Sequence, residues 1–300
     1  MIRPTIAILL FVSAFAGFAK DKIVFVAGRP SHGSGDHEFN AGCKLLANAL
    51  NEQSGLDIEA VVHSHAWPDA SAFDGAKAVI LFMDGGRGHP VIKHEAEIEA
   101  LTAKGIGLMC MHYGVEVPAG DPGDAFKRWI GGHYETNWSI NPHWVAKSEL
   151  NTKHPATNGV GNFELKDEWY YNMRFRDDME GVTPILNATP DDVARSGSTS
   201  WPRGPKKNIL ANKGRSEILM WSVERKDGGR GAGFTGGHFH KNWADDNLRK
   251  LILNTIVWVA GQDVPADGVK SESLTEEGIN ANLDKKKKMK RISLTAKSAK

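Results

Sequence analysis

The chain's regular pattern begins with a short unbroken apolar run, Ile23-Val24-Phe25-Val26-Ala27-Gly28, that ends in glycine and leads into helical spacing over 39–51. Similar runs recur at 58–62, 78–83 and 106–111, with a helix over 90–104 between the last two. Strands that are apolar without alternation are those covered by helices on both faces, so the pattern predicts a doubly wound, mainly parallel α/β sheet of the flavodoxin-like kind. The second half is less regular. It predicts a short helix over 124–130, extended segments over 163–174 and 183–188, and a hairpin pairing 217–224 with 231–236. A closing amphipathic helix over 245–260 carries Leu248, Leu251, Ile252, Thr255, Ile256 and Val259 at helical spacing.

The two ends differ from this body. Arg3, an apolar run over 6–18 and Gly17-Phe18-Ala19 ahead of Lys20 have the layout of a secretory signal cleaved after Ala19. The run is shorter than the ~20 residues a bilayer span needs. The expectation is a signal peptide at 1–19 and an exported, periplasmic or extracellular protein with no stable membrane span. The α/β domain then occupies 20–262. Residues 263–300 lose apolar periodicity and contain Lys285-Lys286-Lys287-Lys288, which reads as a basic, solvated and mobile tail.

Composition narrows the function. With 37 basic and 36 acidic residues there is no global field to attract nucleic acid. Two cysteines, Cys43 and Cys110, make neither a disulfide framework nor a cysteine zinc site, and whether they meet stays open. The excess lies in 12 His, 9 Trp and 32 Gly, and many of the histidines sit beside glycines at strand ends. In open α/β sheets ligands bind outside the carboxyl ends of the strands. There the sequence places His32 and His37 after the first strand, Asp84-Gly85-Gly86 after the third and His112-Tyr113-Gly114 after the fourth.

The candidate chemistry follows from these positions. His238 and His240, two apart on an extended segment, point to one face and suit a shared metal, with His32 and His37 as further nitrogen donors. The first loop is neither GxGxxG nor a Walker loop, which argues against nucleotide phosphate. His112 stands on a tight strand-to-helix elbow as an acid, a base or a ligand, whereas Cys110 is an inert buried thiol. His133, Trp138 and His143 offer imidazoles and an aromatic plane for a sugar. Asp167-Glu168-Trp169-Tyr170 sets a carboxylate among aromatics, where burial would suit Glu168 to proton transfer.

In their order and spacing over 22–262, several motifs resemble the trehalose-utilisation (ThuA-like) family: the His-containing first loop, Met83-Asp84-Gly85-Gly86, Met111-His112-Tyr113-Gly114, Gly131-Gly132-His133, His154-Pro155, Asp167-Glu168-Trp169-Tyr170 and Gly237-His238. The resemblance implies a class I glutamine-amidotransferase-like fold. It does not imply glutamine hydrolysis, because His112 stands where an amidotransferase carries its cysteine. It implies sugar catabolism in which a partner dehydrogenase oxidises a glycoside at C3 and a second enzyme processes the 3-keto sugar. The resulting expectation is a carbohydrate-active lyase or hydrolase of a disaccharide or 3-keto glycoside. His112 and Glu168 would be its catalytic pair, and Asp84, Tyr113, His133, Trp138, His143 and Tyr170 its substrate contacts. A divalent ion on His32, His37, His238 and His240 is the candidate cofactor. The alternatives are a non-catalytic sugar-binding domain and a metal-dependent hydrolase of another substrate.

Overall fold

The computed structural model describes residues 20–295, so the signal-peptide reading of 1–19 lies outside the described residues. Among the described residues twelve strands form: β1 Asp21–Ala27, β2 Ile58–Ser64, β3 Ala76–Phe82, β4 Gly107–Met111, β5 Gly132–His133, β6 His143–Lys147, β7 Glu149–Leu150, β8 Glu164–Glu168, β9 Arg174–Phe175, β10 Val182–Ala188, β11 Glu217–Glu224 and β12 Arg230–Phe234. Eight of them make one sheet in the order β2-β1-β3-β4-β12-β11-β10-β7, while β5 pairs with β9 and β6 with β8. From β2 to β12 the sheet is parallel, and β11, β10 and β7 extend it by antiparallel pairing. The expected doubly wound α/β sheet is therefore present, and 217–224 and 230–234 pair as the expected hairpin.

Among the described residues seven α-helices accompany the strands: α1 Phe39–Asn48, α2 Glu95–Thr102, α3 Asp121–Ile130, α4 Asp192–Ser196, α5 Lys207–Leu210, α6 Asp246–Val259 and α7 Glu276–Ile279. Successive strand residues point to opposite faces, which splits the core in two. Ile23, Phe25, Ile80, Phe82, Met109 and Met111 pack with the buried residues of α1 and α6. Val24, Val26, Val79, Leu81, Leu108 and Cys110 pack with those of α2 and α3 on the other face. Burying each such aliphatic or aromatic side chain contributes about 1.5–3 kcal/mol. Cys43 lies in the first layer and Cys110 in the second, and both are buried free thiols, so the open question of their pairing resolves against a disulfide. Gly107 is where the sheet and α6 come closest: a Cβ there would lie 2.0 Å from the Val259 carbonyl oxygen, so only glycine lets the helix end seat on β4.

α6 begins at Asp245, whose carboxylate accepts from the backbone amides of Asn247 and Leu248. The sequence pattern gives it one apolar face, yet Arg249, Asn254 and Thr255 are buried as well. The residues after the helix explain this. Ser271 and the Glu272 carbonyl take the Arg249 guanidinium, and Asn254 Oδ1 accepts from Val269 N at 2.7 Å. Val269 and Ile279 are themselves buried in the core.

Residues 263–295 are thus packed against the body, which corrects the reading of this stretch as a solvated tail. Its lysine run contributes to that packing. The Lys286 ammonium, 5% exposed, lies 3.1 Å from Glu38 Oε1, whose side chain is fully buried. It also donates to the Gly33, Asp36 and His37 carbonyls. Asp284 Oδ1 accepts from His65 Nε2 at 2.8 Å, and Asp284 N donates to Glu38 Oε2. Among the described residues no helix is long and apolar enough to cross a membrane.

Candidate metal centre

The parallel strands β1, β3, β4 and β12 all run toward one edge, so the segments that follow them meet there. β4 delivers His112, whose φ of 52° is left-handed, and the loop after β1 holds His32 and His37 at 59° and 46°. A non-glycine residue in that region costs roughly 1–3 kcal/mol and persists only where its surroundings hold it. The hydrogen bonds on these residues are what hold them.

Four side-chain atoms converge. His37 Nε2 lies 3.0 Å from His238 Nδ1 and 3.0 Å from His112 Nε2. Glu168 Oε2 lies 2.9 Å from His238 Nδ1 and 3.5 Å from His112 Nε2. All four atoms fall within 4.8 Å of one another. Donors set tetrahedrally about a zinc-like ion at about 2.0–2.2 Å stand about 3.3–3.6 Å apart, so the quartet needs only a small outward adjustment to reach the spacing of a coordination shell.

Outer hydrogen bonds decide what these nitrogens can do. His112 Nδ1 is 2.9 Å from the Thr235 carbonyl, which only accepts, so Nδ1 carries a proton and Nε2 is the ring nitrogen turned to the quartet. His37 Nδ1 is 3.3 Å from Asp84 Oδ1, which likewise places the proton outward and the lone pair inward. His112 Nε2 and His37 Nε2 stand 3.0 Å apart, so a cation belongs between them, either a proton on one imidazole or a metal ion. Carbonyl and carboxylate partners on the far ring nitrogens are the usual supports of metal-bound histidine.

Electrostatics agree. Burial, followed by the neighbouring imidazoles of His112 and His238, holds His37 well below the ordinary histidine range, so it stays neutral. Burial opposes ionisation of Glu168, but the imidazoles of His112 and His238 outweigh it and hold its carboxyl well below the ordinary carboxylate range. For His238, burial opposes the charge and Glu168 more than restores it.

The supports come from distant sequence. Asp167, fully buried at the end of β8, accepts from Gly237 N at 2.9 Å, His238 N at 3.0 Å and Asn242 Nδ2 at 2.9 Å. It anchors the loop that presents His238. Ser31 Oγ donates to Asp84 Oδ1 at 2.8 Å, and His32 lies over His37 with ring centroids 3.6 Å apart. Asp84→Asn keeps the size but weakens the acceptor that orients His37, and is expected to lower divalent-cation affinity about 10–100-fold, read by calorimetric titration.

The other expected site residues divide into two groups. Tyr170 joins the centre, its hydroxyl 3.4 Å from both His112 Nε2 and Glu168 Oε2. His143 stands beside it, with Nε2 3.8 Å from Glu168 Oε1, and the Tyr113 ring lies 5.9 Å from His37. His112 and Glu168, expected as an acid–base pair, present Nε2 and Oε2 to the same cluster as His37 and His238.

Three residues are elsewhere. His133 is buried beside Gly123 of α3, among Lys127, Glu135 and Arg174, and burial lowers it to about 4. The Arg174 guanidinium lies 3.5 Å from the Trp138 ring centroid and covers one face of that ring, apart from the quartet. His240 starts a 3-10 turn, His240–Ala244, where the chain leaves the extended course of Phe239, and its ring is buried beside Ile279, away from the quartet.

A cleft of about 430 Å³ adjoins the centre through Asp84 and is lined by Gly28, Arg29, His65, Trp67 and His94. It lies where β2 and β3 flank β1, the switch point at which such sheets bind ligands. A larger hollow of about 750 Å³ near Glu99, Arg176 and Asp227 contains none of these residues.

The fold agrees with what the chain resembles. The family profile described as Trehalose utilisation matches residues 23–259. A ThuA-like protein from Bacteroides uniformis ATCC 8492 superposes with a TM-score of 0.59 at 16% identity, covering 84% of this chain and 96% of that one. One from Parabacteroides merdae ATCC 43184 superposes at 0.54 and 15% identity, covering 82% and 92%. A glutamine amidotransferase from Thermotoga maritima gives 0.41 at 9% identity, covering 87% and 99%. No curated protein matches the chain. With the profile spanning the whole sheet from β1 to the end of α6, the chain belongs to the trehalose-utilisation (ThuA) family.

Proposed function

We propose that this protein is an exported, divalent-cation-dependent enzyme that cleaves 3-keto glycosides. One observation carries the reading: three imidazole nitrogens and a carboxylate oxygen converge at 2.9–3.5 Å, with two of the nitrogens turned inward by a carbonyl and a carboxylate. The family description, trehalose utilisation, supports a sugar substrate, and a cleft of about 430 Å³ is the right size for one or two rings. Export rests on the pattern of 1–19.

A ketone at C3 makes the neighbouring C2 proton acidic, and a bound cation would polarise that ketone as a Lewis acid. The remaining work falls to side chains at the rim. Tyr170 donates its hydroxyl toward the oxygen on which charge develops. Half-buried His143, alongside Glu168 but outside the quartet, takes the C2 proton. The pair from the C–H bond forms a C1–C2 double bond, and the C1–oxygen bond breaks with its electrons on the departing alcohol. A dehydrogenase oxidising the glycoside at C3 would supply the substrate.

The test is incubation of the purified chain with a 3-keto glycoside and, separately, with trehalose, with and without a chelator. Release of the C1 alcohol from the keto substrate alone, abolished by chelation and restored by added divalent ion, is the expected result. Saturable binding without product would favour a non-catalytic sugar-binding domain.

A further inference from the structure

Beyond the quartet, one carboxyl in the crevice has no structural partner that accounts for it. Glu116 follows the His112 elbow, and its Oε1 accepts from Thr136 Oγ1 at 2.9 Å. Among the described residues, no lysine, arginine or histidine lies within ion-pairing distance of it. The backbone is fitted closely around it: Gly86 N donates to the Glu116 carbonyl at 2.8 Å, and Glu116 bridges to Tyr134.

Space has been left in front of it. Gly86 has a φ of 69° and no side chain. A Cβ there would lie 3.4 Å from the Tyr113 hydroxyl and 3.8 Å from Glu116 Oε1, so both groups border the same opening. Tyr113 neighbours His37, and Tyr134 lies against Tyr170 with centroids 5.1 Å apart. Glu116 thus lies across Tyr113 and the Tyr134–Tyr170 pair from the quartet.

We propose that Glu116 is the proton donor of this crevice, giving its proton to the oxygen that leaves C1. This rests on the reading of the site as one that cleaves 3-keto glycosides. In the balanced step, His143 gains the C2 proton, the C–H electron pair becomes the C1–C2 double bond, and the departing oxygen leaves with the C1–O pair and takes the Glu116 proton. Exchange with water resets both side chains. No oxidant or further reactant is needed.

The surroundings give the group a suitable acidity. Burial is the main cause that lifts the Glu116 carboxyl, to about 7, with Glu168 adding to it and Thr136 and Lys206 opposing. The other titratable groups facing it are Tyr113, Tyr134 and Tyr170, all raised by burial and so neutral across this range. An acid that works protonated loses its action as pH rises through its own value, so turnover should fall above about 7.

Glu116→Gln separates the roles. Its divalent-cation content should match the parent chain, because Glu116 is no ligand, and this also reports that the site has folded. Turnover of a 3-keto glycoside with an alkyl leaving group should fall about 10²–10⁴-fold, the usual worth of a positioned acid. A 4-nitrophenyl leaving group, which departs without protonation, should be nearly unaffected. Thr136→Val, which removes the one hydrogen bond favouring the carboxylate, should move the alkaline fall in rate to higher pH. Equal losses on both substrates, an unchanged rate with the alkyl glycoside, or an unmoved pH limb in Thr136→Val would overturn the assignment. A parent chain that turns over neither substrate would instead overturn the functional reading on which it rests.

Discussion

Replacing His238 with alanine is expected to abolish high-affinity binding of a divalent cation and, with it, turnover. His238 Nδ1 lies 2.9 Å from Glu168 Oε2 and 3.0 Å from His37 Nε2, so it supplies one of four donors. Changes in the outer partners of a metal ligand already cost about 10–100-fold in affinity, and loss of a ligand should exceed that. The fold should survive. The loop is held by backbone bonds, from Gly237 N and His238 N to Asp167 and from His37 N to the His238 carbonyl at 2.9 Å, none of which uses the imidazole. Calorimetric titration of the metal-free variant, alongside a denaturation curve, separates the two effects. An affinity within a few-fold of the parent would show that the imidazole is not a ligand.

Lys286→Met is expected to produce the largest loss of stability among substitutions in the lysine run. The Lys286 ammonium and the Glu38 carboxylate are both withdrawn from water, and the same ammonium satisfies carbonyls of the loop over 33–37. Removing one partner of a buried ion pair leaves the other charge without compensation, which costs about 3–5 kcal/mol. Lys287→Met, at an exposed position, should stay within about 0.5 kcal/mol of the parent. The midpoints of urea unfolding compare them directly. Because the loop that loses its anchor carries His32 and His37, cation affinity should fall in Lys286→Met as well. Equal midpoints for the two variants would mean that the C-terminal segment does not brace the site.

The sheet edge was legible because a parallel sheet sends the carboxyl ends of its strands to one side, so a histidine just past each strand is a site candidate without knowledge of contacts. His37, His112 and His238 were found that way. His240 leaves the expected face because the chain turns at that residue and its ring is buried beside Ile279 of the C-terminal segment. Asp167 was passed over because its role depends on backbone amides some seventy residues away. Glu116 was passed over because nothing local marks a carboxyl whose neighbours will be tyrosines. Trp138 reads as a platform until Arg174, far along the chain, covers one face of it. The lysine run reads as solvated because its one buried member has its partner, Glu38, at the opposite end of the sequence. In each case the missing information was a long-range contact.

The central claim is that the His37, His112, Glu168 and His238 quartet holds a cation. Calorimetric titration of the metal-free chain with Zn²⁺ and Mn²⁺ tests it most directly. Binding of one ion per chain, lost in His238→Ala and weakened in Asp84→Asn, is the predicted result. Absence of stoichiometric binding by the parent chain, or binding that ignores both substitutions, would contradict it.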